Sequence, residues 1–211
     1  MPPARSNPEH GAPATTQGPG RLRDAQKQLT RTRLLEAAAS LIARHGYTAA
    51  TIDDIAVAAG VTRATVYLHF RSKSELALKM REAIGGYDPT FAALVAAAGA
   101  PSSDALAAWL AGFAAHLDAH HEYALALREA ADADRTVRST LERRRADLAA
   151  ELAVSLASGR RWTADHGVLV ATLLLRQLDL VRDGWLLVRP ADDRQDVCRT
   201  LAAMWHVVLR A

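Results

Sequence analysis

The side chains with the clearest capacity for chemistry stand together in one short stretch of the chain, residues 62–73. If residues 62–70 form a helix, Val66 and Phe70 face inward, and hydroxyl, guanidinium and aromatic side chains face outward. Hydroxyl and guanidinium groups donate hydrogen bonds to phosphate oxygens and to base edges in the major groove of DNA. The pattern therefore predicts a surface that binds nucleic acid. Its outward positions are Thr62, Arg63, Thr65, Tyr67 and Leu68.

Motifs for catalysis and for metal binding are incomplete. His121 begins a His-Glu-x-x-His zinc motif, but Leu125 stands where the second histidine is needed. His116 and His120 have the spacing of two ligands on one helix face, but no carboxylate or cysteine follows at a confirming spacing. Phosphate-binding glycine loops and nucleophile motifs are missing as well. We predict a protein that is not an enzyme and needs no metal or cofactor, and we interpret the lone Cys198 as a small buried residue.

Three short helices and a preceding longer one must position the outward residues. Each short helix begins at a Ser or Thr that can cap it, and two of these caps have an acidic residue three positions later. Glycine ends the preceding helix and the first short one, because it adopts the left-handed backbone conformation at little cost. The residues that mark these boundaries are Gly46, Thr51, Asp54, Gly60, Thr62, Ser72 and Glu75.

The motifs follow one another in a specific order. They are His45-Gly46-Tyr47, Thr51-x-x-x-Ile55-Ala56, Ala59-Gly60-Val61-Thr62, Thr65-x-Tyr67-x-His69-Phe70 and Ser72-Lys73-x-x-Leu76. In this order and spacing, residues 32–80 resemble the tetracycline-repressor (TetR) family of bacterial transcriptional regulators. The one departure is Ala64, where many members have glycine and the family tolerates alanine. The resemblance implies an all-α protein with an N-terminal three-helix helix-turn-helix DNA-binding domain and a C-terminal helical domain for ligand binding and dimerisation.

The resemblance also implies roles for single residues. Thr51 would hold a phosphate at a helix N-terminus, where the helix dipole is positive. Arg63 would read guanine, and Thr65 would contact a thymine methyl group or a phosphate. The other residues implied to contact DNA are Thr62, Ala64, Tyr67, His69 and Lys73. His69 has a second interpretation as a packing histidine.

Charge is unevenly distributed, although the net charge is only +3. Residues 1–81 hold twelve Lys and Arg against six Asp and Glu, and the remainder holds 14 against 17. Such a basic end favours a polyanionic partner. Residues 1–26, rich in Pro and Gly at their start, are predicted to be a disordered basic extension. Arg21 and Arg23 are either a minor-groove arm or a solvated lead-in to the first helix.

The domains predicted beyond this extension are residues 27–80 for DNA binding and residues 81–211 for effector binding and dimerisation. Apolar residues recur there at helical spacing, and residues 163–188 are apolar on almost every face. With the stripe of residues 197–208, that helix would form a homodimer through the last two helices. The earlier helices would enclose an effector pocket. Its candidate lining is Trp109, Phe113, His116, Tyr123, Leu173 and Arg176.

Several polar residues of this second domain keep alternative interpretations. The run Arg143-Arg144-Arg145 is either a solvated face or turns Arg144 or Arg145 inward to meet an acidic effector. Arg176 and Asp179 either pair with each other, cross the dimer seam or anchor a ligand. Gly85 and Gly86 are either a hinge or a helix end.

The combined expectation is a cytoplasmic dimeric repressor that binds a palindromic operator in double-stranded DNA and is released by a small-molecule effector. The alternative is a TetR-like DNA-binding protein that acts as an activator or outside transcription. No partnership with a membrane is expected, because charged residues interrupt even the most apolar stretch.

Overall fold

The described part of the chain is all α. The computed structural model describes residues 19–84, 101–158, 163–187 and 194–210. Within these ranges there are nine helices and no strand. The helices are α1 Pro19–His45, α2 Ile52–Ala58, α3 Arg63–His69, α4 Lys73–Ala83, α5 Ser103–Ala119, α6 His121–Ala133, α7 Arg135–Ser158, α8 Ala164–Leu187 and α9 Arg194–Arg210. The predicted fold class, with an N-terminal helix-turn-helix and a helical body, is confirmed.

The first helix starts earlier than the sequence pattern predicts. Because α1 begins at Pro19, residues 19–26 are helical, and the prediction of a disordered extension as far as residue 26 is wrong for them. Their composition explains the difference. Residues 21–29 contain neither Pro nor Gly, so the helix packed at its C-terminal half can propagate backwards. Residues 1–18 lie outside the described part of the chain.

The predicted caps form as expected. Thr51 accepts a hydrogen bond from the Asp54 amide, and the Asp54 carboxylate accepts from the Thr51 amide, which completes a capping box. Ser72 accepts from the Glu75 amide at 3.0 Å, but the Glu75 carboxylate bonds the Arg71 amide instead of that of Ser72. Local hydrogen bonds thus set the boundaries of the short helices.

Two hydrophobic clusters fill the molecule. The first joins α1–α4 to the helical body, α5–α9, because Ala126 and Ala130 of α6 and Val137 of α7 are buried in it. α4 continues to Ala83, so the boundary predicted after residue 80 falls inside this helix. The helix-turn-helix module, α1–α4, therefore shares its core with the body. Gly85 and Gly86, predicted as a hinge or helix end, lie outside the described residues.

The second cluster fills the body, where α7 packs on α8 and α5 packs on α9. α8 and α7 approach each other closely at Gly167. A Cβ added to this glycine would lie only 3.2 Å from the Ala153 carbonyl oxygen. Trp205 is fully buried and donates a hydrogen bond to Gln177 Oε1 at 2.7 Å, which ties α9 to α8. Cys198 is buried in this cluster as well.

Candidate nucleic-acid interface and effector cavity

The turn between α2 and α3 is fixed by backbone geometry. Gly60 has a φ of +68°, the left-handed conformation predicted for it. The Val61 amide reaches back to the Ala56 carbonyl at 2.9 Å, and the Gly60 amide bonds the Val57 carbonyl at 3.1 Å. Thr62 then caps α3 by accepting from the Thr65 amide. Hydrogen bonds between residues close in sequence thus hold the two short helices as one corner.

The outward face of α3 matches the predicted pattern. Val66 and Phe70 are buried, whereas Tyr67 is 44% exposed and Leu68 is 81% exposed. Thr62, Arg63 and Ala64 are also exposed, and Thr65 is half-buried. An apolar side chain as exposed as Leu68, next to hydroxyl and guanidinium groups, leaves this face open to a partner that presents both methyl groups and polar edges.

Arg63 lies beside an acid of the preceding helix. Its Nη1 is 2.5 Å from Asp53 Oδ2, and its guanidinium lies 5.6 Å from the centre of the Tyr67 ring. The Asp53 carboxylate raises the pKa of Arg63. Because the pair is exposed, its net stabilisation is small and a phosphate or base edge can replace Asp53. Asp53 was not among the predicted site residues.

A basic stripe on α1 runs beside the end of α3. Lys27 and Arg31 act on His69, whose pKa is lowered first by burial and then by these two cations. The Arg31 guanidinium also lies 4.7 Å from the Phe70 ring centre. The sequence carried a sign of this stripe, because Arg23, Lys27 and Arg31 recur at four-residue spacing on one helix face. Arg31 was not among the predicted site residues.

The remaining predicted DNA contacts stand in different settings. Arg21 and Arg23 are exposed on α1, so they lie on a helix instead of in an extended arm. The Thr51 hydroxyl is exposed but donates to Asp54 Oδ2 at 2.6 Å. Lys73 is half-buried, and its ammonium lies 4.2 Å from the centre of the Tyr47 ring. Burial lowers the pKa of Lys73, and Asp134 partly opposes this change.

Asp134 joins the helix-turn-helix module to the body. Its Oδ2 accepts hydrogen bonds from Ser74 at 2.6 Å and Tyr47 at 2.8 Å, while its Oδ1 accepts from the Thr136 and Val137 amides at the start of α7. These bonds, that of Ser74 first, hold the pKa of Asp134 at about 2. Burial raises the pKa of Tyr47 to about 12. One carboxylate thus links three segments that are distant in sequence.

A cavity of about 110 Å³ lies among α4–α8. Of the six predicted lining residues, Phe113 and His116 border it. Burial, followed by the effect of His120, lowers the pKa of His116. The cavity also takes in side chains that the sequence offered no reason to group: Arg81, Arg128, Leu141, Leu148 and Arg182.

The other four predicted lining residues lie elsewhere. Trp109 stacks on Phe113 at 5.7 Å, one layer behind the cavity wall. Tyr123 packs against the first cluster. Leu173 lines an apolar surface groove formed with α9, and Arg176 is exposed on α8. Helical spacing places residues on a face, but it does not say which neighbouring helix that face meets.

The arginine run of α7 resolves into distinct environments. Arg144 and Arg145 border the cavity, and Arg145 Nε lies 2.6 Å from Asp179 Oδ2. Asp179 is 8% exposed and also pairs with Arg182 at 2.8 Å. Arg143 is exposed and bonds the Thr140 hydroxyl. Arg145 therefore turns inward, but onto Asp179, and its contact with an acidic effector stays a prediction.

The described segments contain neither a metal-binding cluster nor a membrane-spanning helix. No group of three or more His, Cys, Asp or Glu side chains there is arranged to hold a metal ion. Nor does any helix in those segments combine the length and apolar character that crossing a membrane requires.

Comparison with known proteins agrees with this geometry. The family model for bacterial regulatory proteins of the tetR family matches residues 34–80. Over 52 residues the chain is 44% identical to the probable acrEF/envCD operon repressor of Escherichia coli K12, and over 51 residues it is 43% identical to the HTH-type transcriptional regulator TtgR of Pseudomonas putida. Each match covers about a quarter of either chain: 25% of this one and 24% of the first relative, 24% of both for the second.

Solved structures extend the likeness to the whole fold. The fatty acid degradation regulator FadR of Bacillus halodurans aligns with a TM-score of 0.67 at 20% identity, covering 86% of this chain and 96% of its own. NalD of Pseudomonas aeruginosa, the secondary repressor of the MexAB-OprM multidrug efflux pump, aligns with a TM-score of 0.61 at 20% identity, covering 85% and 95%. At such identities the likeness concerns the arrangement of helices alone.

Proposed function

We propose that the chain is a DNA-binding transcriptional repressor of the TetR type that is released by a small molecule, and the match of residues 34–80 to the family model for bacterial regulatory proteins of the tetR family supports this proposal. The observation that carries the proposal is the capped α2-turn-α3 corner with its hydroxyls, guanidinium and exposed Leu68 facing outward. α3 would enter the major groove with its N-terminal residues nearest the base edges. The curated relatives that share this segment are regulators and an operon repressor by name.

In this docking each predicted contact has a physical task. Arg63 exchanges Asp53 for a guanine edge, and Thr65 contacts a thymine methyl group or a phosphate. Thr51, Thr62 and Ala64 bring the N-termini of α2 and α3 close to the DNA backbone. Phosphates are bound by Thr51, Thr62, Tyr67, His69 and Lys73, with Lys27 and Arg31 supporting them beside α3.

Operator binding is tested with Arg63→Ala. Because a bidentate contact to guanine contributes about 1–3 kcal/mol, we expect operator affinity to fall at least about tenfold and base preference at one position to relax. Fluorescence anisotropy on the operator, found by mapping genomic binding sites, gives the measurement. The matched control is Arg199→Ala, since Arg199 is 61% exposed and pairs with Asp196 much as Arg63 pairs with Asp53. Equal affinity of both variants and the native protein would remove the proposed docking.

The basic turns at the start of α1 have a separate task in this proposal. Arg21 and Arg23 would extend the phosphate contacts of the stripe as helical residues. The double variant Arg21→Gln/Arg23→Gln should flatten the dependence of operator affinity on salt, because fewer counterions are released. If the salt slope is unchanged, these residues are only a solvated lead-in.

Dimerisation would place two α3 helices one DNA turn apart, roughly 34 Å, to read a palindrome. The support is an exposed apolar surface on α8 and α9, because apolar area left exposed to water is typical of an interaction site. It comprises Val168, Leu169, Leu173, Leu180, Met204, Val207 and Val208.

Sedimentation of Leu173→Glu tests this surface. A charge placed in a buried apolar interface should raise the dissociation constant of the dimer by at least about tenfold. Val154→Glu is the control, since Val154 is 73% exposed on α7, a helix that contributes no residue to this surface. A Leu173→Glu protein that stays dimeric would place the interface elsewhere.

Release would work through α4. This helix carries Arg81 at the cavity and, nearer its start, Ser74 on the Asp134 carboxylate. An effector that prefers a different position of α4 would shift the dimer toward a state whose recognition helices no longer fit the operator. Adding the effector should then lower operator affinity, and Asp134→Asn should weaken the coupling between the two sites.

A further inference from the structure

The wall of the body cavity has an unusual charge composition. Five arginines border it, from four helices: Arg81 of α4, Arg128 of α6, Arg144 and Arg145 of α7, and Arg182 of α8. None of the described residues that line it is Asp or Glu. The acids that pair with these guanidinium groups do not line the cavity: Asp179 is shared by Arg145 and Arg182, Asp183 also pairs with Arg182, and Glu129 and Asp132 pair with Arg128. The surface that a ligand meets therefore presents guanidinium groups and, among the described residues, no carboxylate.

The fifth helix presents a different surface. α5 contributes Phe113, Leu117 and the ring of His116, and Leu141 and Leu148 of α7 add further apolar area. Phe113 belongs to an aromatic group in which Trp185 lies 6.3 Å away, centre to centre. An apolar surface facing a wall of planar donors accommodates a molecule that is apolar over most of its length and acidic at one end.

We propose that the effector is an amphipathic anion, a carboxylate or phosphate on an apolar body, whose acidic group binds the arginines and whose body packs against α5. The proposal rests on the proposed function in taking this cavity as the effector site. Arg144 and Arg145, which are consecutive, and Arg182, which shares Asp179 with Arg145, provide the donors for the acidic group. Two-pronged donation from a guanidinium fits both head groups, and it gives a neutral or cationic analogue nothing equivalent.

Ligand binding is measured without DNA, so that its outcome is independent of operator binding and release. The full chain is titrated with decanoate, decyl phosphate, 1-decanol, decylamine and inorganic phosphate, with calorimetry and tryptophan fluorescence as readouts. We expect decanoate or decyl phosphate to bind at least about tenfold more tightly than decanol and decylamine, because a charge-assisted bidentate bond is worth that much. The tighter of the two acids identifies the head group, and inorganic phosphate alone should bind weakly.

Variants assign the binding to this wall. Arg144→Gln should weaken the better acid about tenfold, whereas Arg143→Gln should change it less than about twofold, because Arg143 does not border the cavity. Arg145→Lys keeps a positive charge beside Asp179 but removes the two-pronged donation of the guanidinium group. It should weaken binding of the acid while leaving the unfolding temperature close to the native value. Urea unfolding of each variant separates lost binding from lost folding.

The proposal is overturned if decanol binds as tightly as the acids, if decylamine binds more tightly, or if Arg144→Gln and Arg143→Gln behave alike. A protein that binds decanoate as expected but keeps its operator affinity would leave the ligand class standing and contradict release. A protein that binds no operator at all would contradict the proposed function and leave the titration valid.

Discussion

The candidate DNA-reading face and the arginine cavity are assembled over very different distances along the chain. Residues 51–76 hold the first within one short stretch, through caps and turns whose hydrogen bonds span three or four residues. The cavity draws its arginines from Arg81 to Arg182, on four helices brought together by packing. A local site can therefore be recognised as a motif, whereas a site made by packing has no pattern of its own in the sequence.

The two regions are nevertheless coupled by a shared core. Ala126, Ala130 and Val137 of the body are buried among residues of α1–α4, and Asp134 bonds both Tyr47 and Ser74. The module is thus locally specified but not independently packed. Substitutions can show how far each region depends on local geometry, on the shared core or on the link between them.

The largest effect is expected at the core of the module. Phe70 is 1% exposed, so Phe70→Ala should lower the free energy of unfolding by about 3–5 kcal/mol through lost burial and the cavity that remains. Leu68→Ala, two residues earlier in α3, should change the free energy of unfolding by no more than about 0.5 kcal/mol, because Leu68 is 81% exposed. Urea denaturation followed by circular dichroism measures both. If the two variants lose similar stability, α3 is not anchored by its inward face.

A smaller effect is expected at the link. The bonded Asp134 has a pKa of about 2 against an ordinary value of 3.8, so its contribution is present above pH 4 and is lost as the pH falls toward 2. After solvent screening we expect about 1–2 kcal/mol. Urea midpoints between pH 5 and pH 2 should fall less steeply for Asp134→Asn than for the native protein.

Asp147→Asn provides the control, because Asp147 is an exposed carboxylate on α7, the helix that Asp134 precedes. It should reproduce the native pH dependence. An Asp134→Asn protein with an unchanged slope would mean that the three segments are held together without this carboxylate.

The smallest effects are expected when one glycine in each region is replaced by alanine. The pair of substitutions separates the need for a left-handed backbone conformation from helix propensity. Gly60→Ala should destabilise by about 1 kcal/mol, because alanine resists a φ of +68° although nothing lies within 4 Å of its Cβ. Gly112→Ala, inside α5 and equally unobstructed, should stabilise by up to about 1 kcal/mol through helix propensity. Thermal unfolding shows whether the signs differ as expected; equal signs would deny that Gly60 is needed for its backbone conformation.

Short-range chemistry made much of the module predictable. The capping box at Thr51, the left-handed Gly60 and the Thr62 cap act between neighbours in sequence, so residue type and spacing sufficed to place them. The helical spacing of apolar residues in the second domain was equally informative, because periodic apolar residues must face a core. The start of α1 was misplaced, since propagation from a packed helix leaves no boundary residue to read.

Whether a side chain faces a cavity, a neighbour or solvent was decided only by the tertiary structure. Phe113 and His116 reached the cavity, but Trp109, Tyr123, Leu173 and Arg176 did not, although all six had plausible helical positions. Arg143, Arg144 and Arg145 are identical in type, and their different surroundings follow from the turn of α7 against α8. The sequence by itself determined the helices, their caps and the outward face of α3, because those depend on short-range hydrogen bonds and periodic burial. Packing between distant helices determined the arginine wall and the Asp134 link, because no residue's neighbours in sequence encode which helix it will meet.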